Sequence, residues 1–164
     1  MFKVVDNFLD KEYFEEILNA VSSDEFPWYY NDNITDENDL KDRFYFTHNF
    51  YNDLTKYKCG VSSAYFEMLR SFLDKINCNS ILRIKANLYI NRNKKEKHNF
   101  HIDYKFSHKG CLFYLNDNNG KTYIEDKEVK PKANRAVFFD PGKEHASSAC
   151  TDQKRRMNII FNYF

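Results

Sequence analysis

The sequence predicts a mainly β fold, a sandwich or barrel with N-terminal helices packed on one outer face. Three observations lead there. Two segments of helical period lie before residue 80, and from Ile81 onward apolar residues recur at every second position. Helices followed by a run of strands is the order of a helix-on-sheet domain, not of alternating βαβ units.

The first helix is predicted in LDKEYFEEILNAV. Asp10 stands at the N-cap, and Tyr13, Phe14, Ile17, Leu18 and Val21 form one stripe. The second lies in SSAYFEMLRSFLDKI, capped by Ser62 or Ser63, with Phe66, Leu69, Phe72, Leu73 and Ile76 turned inward. Residues 25–60 are rich in Trp, Tyr, Phe, Asn and Asp without clean periodicity, which predicts long loops with short strands.

The strands follow. In ILRIKANLYIN one face is Leu82, Ile84, Ala86, Leu88 and Ile90, the other Arg83, Lys85, Asn87, Tyr89 and Asn91. In GCLFYLND, Leu112, Tyr114 and Asn116 oppose Cys111, Phe113 and Leu115, and RAVFFDPG reads as a strand ended by a Pro-Gly turn. RRMNIIFNYF sets Met157, Ile159, Phe161 and Tyr163 against Arg156, Asn158, Ile160 and Asn162. The polar faces of the first and last strands carry amides, hydroxyls and a guanidinium. They suit the lining of a polar cavity; an Asn-rich surface is the alternative.

Bulk properties bound the function. A chain of 164 residues is expected to form one domain spanning 1–164. Aromatics make up 18% of it, so large flat side chains fill much of the core. The formal net charge of +1 supplies no basic stripe, which disfavours nucleic acid as a partner, and no apolar run approaches the length of a membrane span. MFKVVDNFLDKEYF has charges throughout and lacks a signal peptide's apolar core, so a cytoplasmic location is expected. Cys59, Cys78, Cys111 and Cys150 form no CxxC pair and are expected to be reduced.

The chemistry concentrates in HNFHIDYKF. His101 and Asp103, two apart on a strand, present an imidazole and a carboxylate to one point. Two His and one carboxylate make the facial triad of non-haem Fe(II) enzymes, with three positions open. His145, after the strand RAVFF and the turn DPGKE, fits as the third ligand. His98 falls on the opposite strand face and is expected on the surface or in a flap; His108 is expected in a solvent-exposed loop, and His48 to be structural. Lys94, Lys95 and Lys97 read as a solvated charged loop, Trp28 as core packing or a substrate wall, and Asp140 as shaping the approach to His145.

An HxD triplet alone is a weak signal; its order with later elements is more specific. HID, LFYLND, NNGKTYIED, VKPKANRAVFFDPGKEH and RRMNIIFNYF together resemble the Fe(II)/2-oxoglutarate-dependent dioxygenases, particularly the prolyl-hydroxylase-like branch. The resemblance covers residues 81–164, and VVDNFLDKEYFEEI is similar to the family's lead-in. It implies a double-stranded β-helix (jelly-roll, cupin-like) core over about 81–164, a helical lead-in over about 1–80, and helices packed on the major sheet.

The resemblance also implies cofactors and roles. Fe(II) would take His101, Asp103 and His145, with 2-oxoglutarate chelating it and O2 completing the set. Arg156, rather than Arg155, would hold the remote carboxylate of 2-oxoglutarate, because it shares parity with Asn158 and Asn162. Tyr114 would bond the same carboxylate, and Asn87 and Tyr89 would line its pocket. The presence of Asp103 favours hydroxylation, or demethylation through a hydroxylated intermediate, over halogenation. The family often has two glycines where this chain reads NNGKTYIED. The expected substrate is a protein side chain or a small molecule, read by the loops at 25–60 and 92–110. The alternatives are a cupin-like metal enzyme without 2-oxoglutarate and a non-catalytic jelly-roll binding protein.

Overall fold

Two antiparallel sheets face each other across a central cavity. The computed structural model of the chain describes residues 2–35, 43–53 and 58–164. In chain order the elements are strand β1 (Lys3–Val5), helix α1 (Lys11–Ser22), β2 (Tyr29–Asn31), β3 (Tyr45–Asn52) and β4 (Gly60–Val61). A 3₁₀ segment (Ala64–Leu69) then runs into helix α2 (Arg70–Lys75). The strands β5 (Ile81–Ile90), β6 (Lys109–Tyr114), β7 (Thr122–Ile124), β8 (Lys127–Val129), β9 (Arg135–Phe139), β10 (His145–Ser147) and β11 (Arg155–Tyr163) follow. The large sheet has the order β1-β9-β6-β11-β5-β3-β2, with β4 on β3, and the small sheet the order β10-β7-β8.

Helix α1 and the 3₁₀ segment begin where their caps place them, while α2 continues from the 3₁₀ segment at Leu69 without a side-chain cap. Asp10 accepts the amide of Tyr13 at 2.9 Å, and Ser63 accepts that of Tyr65 at 3.1 Å. The stripe from α1 and the inward residues of α2 cover one face of the large sheet. Ile17, Val21, Leu69 and Phe72 pack there with Ile84, Ala86, Phe113, Ile159 and Phe161, and the rings of Phe72 and Phe161 stack at 4.2 Å. Large aromatics dominate this layer because each removes more apolar surface from water than an aliphatic side chain.

The other sheet face looks into the cavity. Because side chains alternate along a strand, β5 sends Ile84, Ala86 and Leu88 to the helices and Arg83, Lys85, Asn87 and Tyr89 to the cavity. The central strand β11 does the same, pairing Asn158 with Asn87 and Arg156 with Tyr89 across the ladder. A smaller apolar cluster, with Leu112, Ile124, Val137, Phe139 and Ile160, joins the two sheets.

The N-terminal half holds a longer strand than the short ones expected among its loops. β3 is eight residues long and pairs with β5 through five registered positions, and β1 closes the opposite edge on β9. The mixed polar and aromatic sequence YFTHNFYN hides this strand. Its faces meet a polar hollow and an aromatic core, and a register shift between Asn49 and Tyr51 breaks the alternation. The rest of the segment expected as loops, at 36–42 and 54–57, lies outside the described residues. Among the described residues no helix is long and apolar enough to cross a membrane.

Candidate metal centre

His101 and His145 form an isolated antiparallel bridge between the stretch after β5 and the start of β10. The amide of His101 donates to the His145 carbonyl at 3.0 Å, and the reverse bond measures 2.9 Å. Their rings lie 4.4 Å apart. Two residues on, the amide of Asp103 donates to the Pro141 carbonyl at 2.9 Å, keeping Asp103 on the side of His101. One ligand atom from each of His101, Asp103 and His145 then falls within 4.8 Å of the others. His145 Nδ1 lies 2.9 Å from the Lys143 carbonyl, so that nitrogen donates and Nε2 carries the free lone pair.

The electrostatics favour the metal-binding protonation states. Burial, then the neighbouring His145, lowers the His101 imidazole to about 4, against the opposing pull of Asp103. Burial alone would raise the Asp103 carboxyl. The cation of Arg83, helped by His145 and Lys85, instead holds it well below the usual carboxylate range. Arg83 Nη2 sits 2.9 Å from Asp103 Oδ1, and the Asn162 amide donates to Oδ2 at 3.0 Å.

Behind the triad lies a cavity with about 570 Å³ of empty space, open solvent at its mouth included. Its wall contains Arg156, which has no exposed surface. The guanidinium donates to the carbonyls of Lys121 at 3.0 Å and Ser148, and to Thr122 Oγ1 at 2.7 Å. Its Nε has no partner, and among the described residues no carboxylate pairs with it. A buried cation without a counter-ion is costly, on the order of several kcal/mol, unless an anion joins it. Arg83 Nε and Asn87 Oδ1, on two other residues of this wall, are likewise buried with no partner among the described residues. Unsatisfied polar atoms around one cavity mark it as the place of a polar ligand.

Most of the residues singled out from sequence meet here: His101, Asp103, His145, Asn87, Tyr89 and Arg156 all line the cavity. Asn87 donates to Asn158 Oδ1 at 2.9 Å, and Tyr89 stacks between Tyr45 and His98 with the Arg156 guanidinium 5.7 Å from its ring centre. Tyr114 stands apart, one layer behind the wall, with its hydroxyl donating to Thr122 Oγ1 at 2.6 Å. Residues not picked out from sequence as site residues include Arg83, Lys85, Thr122 and Ser147. The parity of β5 signalled the first two; nothing in KTYIED signalled Thr122.

Three histidine readings are settled by burial. His98 is not on the surface. It is 5% exposed, its ring bonded to Ser147 Oγ at 2.8 Å and its amide to the Ser147 carbonyl, because residues 96–98 are laced to residues 147–149. His108 is not solvent-exposed; at 6% exposure it holds Asn162 Oδ1 at 2.9 Å, since the 106–108 turn folds back on Asp140. His48 is structural as expected, its ring bonded to the Pro27 carbonyl and to Ser63 Oγ.

No family model matches the chain, and no curated protein matches it. Solved structures do. An oxidoreductase of the 2OG-Fe(II) oxygenase family from Burkholderia pseudomallei is 12% identical, with a TM-score of 0.71 over 99% of this chain and 84% of that one. A prolyl hydroxylase from Trichoplax adhaerens, in complex with a hypoxia inducible factor oxygen degradation domain peptide fragment, is 16% identical, with a TM-score of 0.62 over 99% and 83%. The non-heme alpha ketoglutarate dependent epimerase SnoN from nogalamycin biosynthesis is 11% identical, with a TM-score of 0.66 over 99% and 77%. At these identities the likeness is one of fold: the chain has the double-stranded β-helix of these structures, with its helices packed on the major sheet.

Proposed function

We propose that this chain is an Fe(II)- and 2-oxoglutarate-dependent oxygenase, and within that class a hydroxylase of a protein side chain or a small molecule. The observation that carries the reading is the pairing of two features in one cavity. A neutral-imidazole, carboxylate and imidazole set stands on its wall together with a fully buried guanidinium that has no counter-ion among the described residues. The donor set suits Fe(II), and the guanidinium suits the remote carboxylate of a dicarboxylic cosubstrate.

His101, Asp103 and His145 would hold the iron. When bound, iron with 2-oxoglutarate and O2 supplies an oxidant for a substrate C–H bond, converting the cosubstrate to succinate and CO2. Arg156 would bind the cosubstrate bidentately, and Thr122 Oγ1 fixes the angle of that guanidinium. Asn87 and Asn158, joined to each other, offer polar edges along the pocket, while Leu112, Phe139 and Ile160 exclude water from its wall. The Lys143 carbonyl holds the His145 tautomer. A carboxylate at position 103 leaves no place for a halide in the protein's ligand set, which favours hydroxylation. A peptide bound to the Trichoplax adhaerens prolyl hydroxylase supports a polypeptide among the candidate substrates.

The test is an anaerobic titration of the apo-protein with Fe(II) and then 2-oxoglutarate, followed by visible absorption. A charge-transfer band that needs both, is lost in His145→Ala and weakens in Arg156→Ala is the expected result. Iron binding without the band would point to a cupin-like metal enzyme that does not use 2-oxoglutarate. No iron binding would leave a jelly-roll binding protein.

A further inference from the structure

The two oxygens of Asp103 have different surroundings. Oδ1 lies 4.0 Å from His101 Nε2 and also takes the bond from Arg83. Oδ2 accepts the amide of Asn162 at 3.0 Å. The Asn162 amide nitrogen faces Asp103 because an ionised carboxylate only accepts, and the Asn162 carbonyl oxygen lies 2.9 Å from His108 Nε2, whose Nδ1 is 3.0 Å from the Phe106 carbonyl. Turned round, the amide would set oxygen against oxygen. Asn162 has no exposed surface, and His108 is pinned in turn by the 106–108 turn, whose Ser107 hydroxyl and His108 amide both bond Asp140. A chain of three side chains, His108, Asn162 and Asp103, thus runs from a surface turn to the metal centre.

The chain has a consequence for coordination. A carboxylate with both oxygens free can close on a metal with two bonds. Asn162 holds Oδ2 in a hydrogen bond, so that Oδ1, beside His101, is the single oxygen presented, its bond from Arg83 leaving it a second lone pair. A facial triad works by leaving about three positions for cosubstrate and O2, and a second bond from the carboxylate would take one of them. We propose that Asn162, held by His108, is a positioning residue that keeps Asp103 bound through Oδ1 alone and so keeps the metal's open positions open. This inference rests on the oxygenase reading and adds to it a device that the triad's own residues do not contain.

Mn(II) is the probe, because the water it carries is counted by its effect on water-proton relaxation, without turnover. The wild-type protein is expected to show about three exchangeable waters on bound Mn(II). In Asn162→Leu, which keeps the volume and removes the donor, about one water is expected to be lost, with a circular dichroism spectrum like the wild type's. His108→Leu leaves the buried Asn162 carbonyl oxygen without its neighbour, loosens the amide from Asp103 and is expected to lose part of the same water, whereas His108→Gln, which retains a donor, restores it. An unchanged water count in a folded, Mn(II)-loaded Asn162→Leu overturns the inference while leaving the oxygenase reading in place. Absence of Mn(II) binding by the wild type overturns both. If Asn162→Leu fails to fold, the His108→Leu and His108→Gln pair decides: equal water counts in the two overturn the proposal.

Discussion

Arg156 and Tyr114, on β11 and β6, meet on a single atom. The guanidinium donates to Thr122 Oγ1 at 2.7 Å and the phenol donates to it at 2.6 Å. Two donors leave the threonine's own proton to point elsewhere, and both would lose their acceptor together if the hydroxyl were removed. Thr122→Val is therefore expected to destabilise the protein by roughly 1–3 kcal/mol, the cost of leaving buried donors unpaired. It is also expected to raise the dissociation constant for 2-oxoglutarate with little change in that for Fe(II). A double-mutant cycle with Tyr114→Phe is expected to be non-additive by about 0.5–3 kcal/mol. Additive losses would mean that Tyr114 does not act through Thr122.

Gly120 lies against the shaft of the same arginine. A Cβ built there would stand 3.2 Å from Arg156 Cδ, 3.2 Å from the Ser148 carbonyl and 2.9 Å from Asn118 Oδ1. Where this loop departs from the two-glycine pattern, Asn118 and Asn119 hold it, through the Gly120 amide and through Asp152 and Thr151. Gly120→Ala is expected to displace the guanidinium and weaken 2-oxoglutarate binding by about tenfold, roughly 1.4 kcal/mol. Iron affinity is expected to stay within twofold. Isothermal titration of each ligand separates the two effects, and equal loss of both would assign Gly120 to the fold rather than to the pocket.

Strand parity made much of this site legible in the sequence. The alternation in ILRIKANLYIN and RRMNIIFNYF correctly sent Asn87, Tyr89 and Arg156 to the cavity and Ile84, Ala86, Ile159 and Phe161 to the helices. The HxD spacing placed His101 and Asp103 on one side because residues two apart on an extended chain share a face. Contacts between segments distant in sequence left no such trace. Nothing local in KFSHKG shows that His108 is buried against Asn162, or in NKKEKH that His98 is tied to Ser147. Tyr114 has the parity of a cavity residue, yet Thr122 from the opposing sheet comes between it and the space.

His48 makes stability depend on pH away from the metal centre. Burial lowers its pKa below the ordinary 6.5, against the opposing effect of its bond to the Pro27 carbonyl. As pH falls, the unfolded chain takes up a proton first. The stability linked to His48 is therefore complete above 6.5 and is lost as pH drops toward the lowered folded value. His101 acts in the same direction in the metal-free protein. The comparison that isolates His48 is urea unfolding of wild type and His48→Gln between pH 8 and 5. A smaller loss on acidification in the variant is expected; parallel curves would mean that His48 contributes no linkage.

Asn134 ties the N-terminal segment to the strand core. Its side chain accepts the amide of Leu9 at 2.8 Å and donates to the carbonyl of Leu9 at 2.8 Å, across 125 residues of chain. Its backbone amide bonds the Tyr114 carbonyl at 3.0 Å and its carbonyl takes the amide of Phe8 at 2.9 Å, so one residue links β6 to the entry of α1. It does this at φ 59°, the left-handed region that Asn tolerates better than residues with apolar side chains. Two separable effects follow. Asn134→Gly removes the two side-chain bonds but fits the backbone, and is expected to cost roughly 1–3 kcal/mol. Asn134→Ala removes the same bonds and adds the strain of a Cβ at positive φ, a further loss of about 1 kcal/mol. Guanidinium unfolding is expected to rank wild type above the glycine variant and the glycine variant above alanine. An alanine variant as stable as the glycine one would remove the strain from this account, and a glycine variant as stable as wild type would remove the tie.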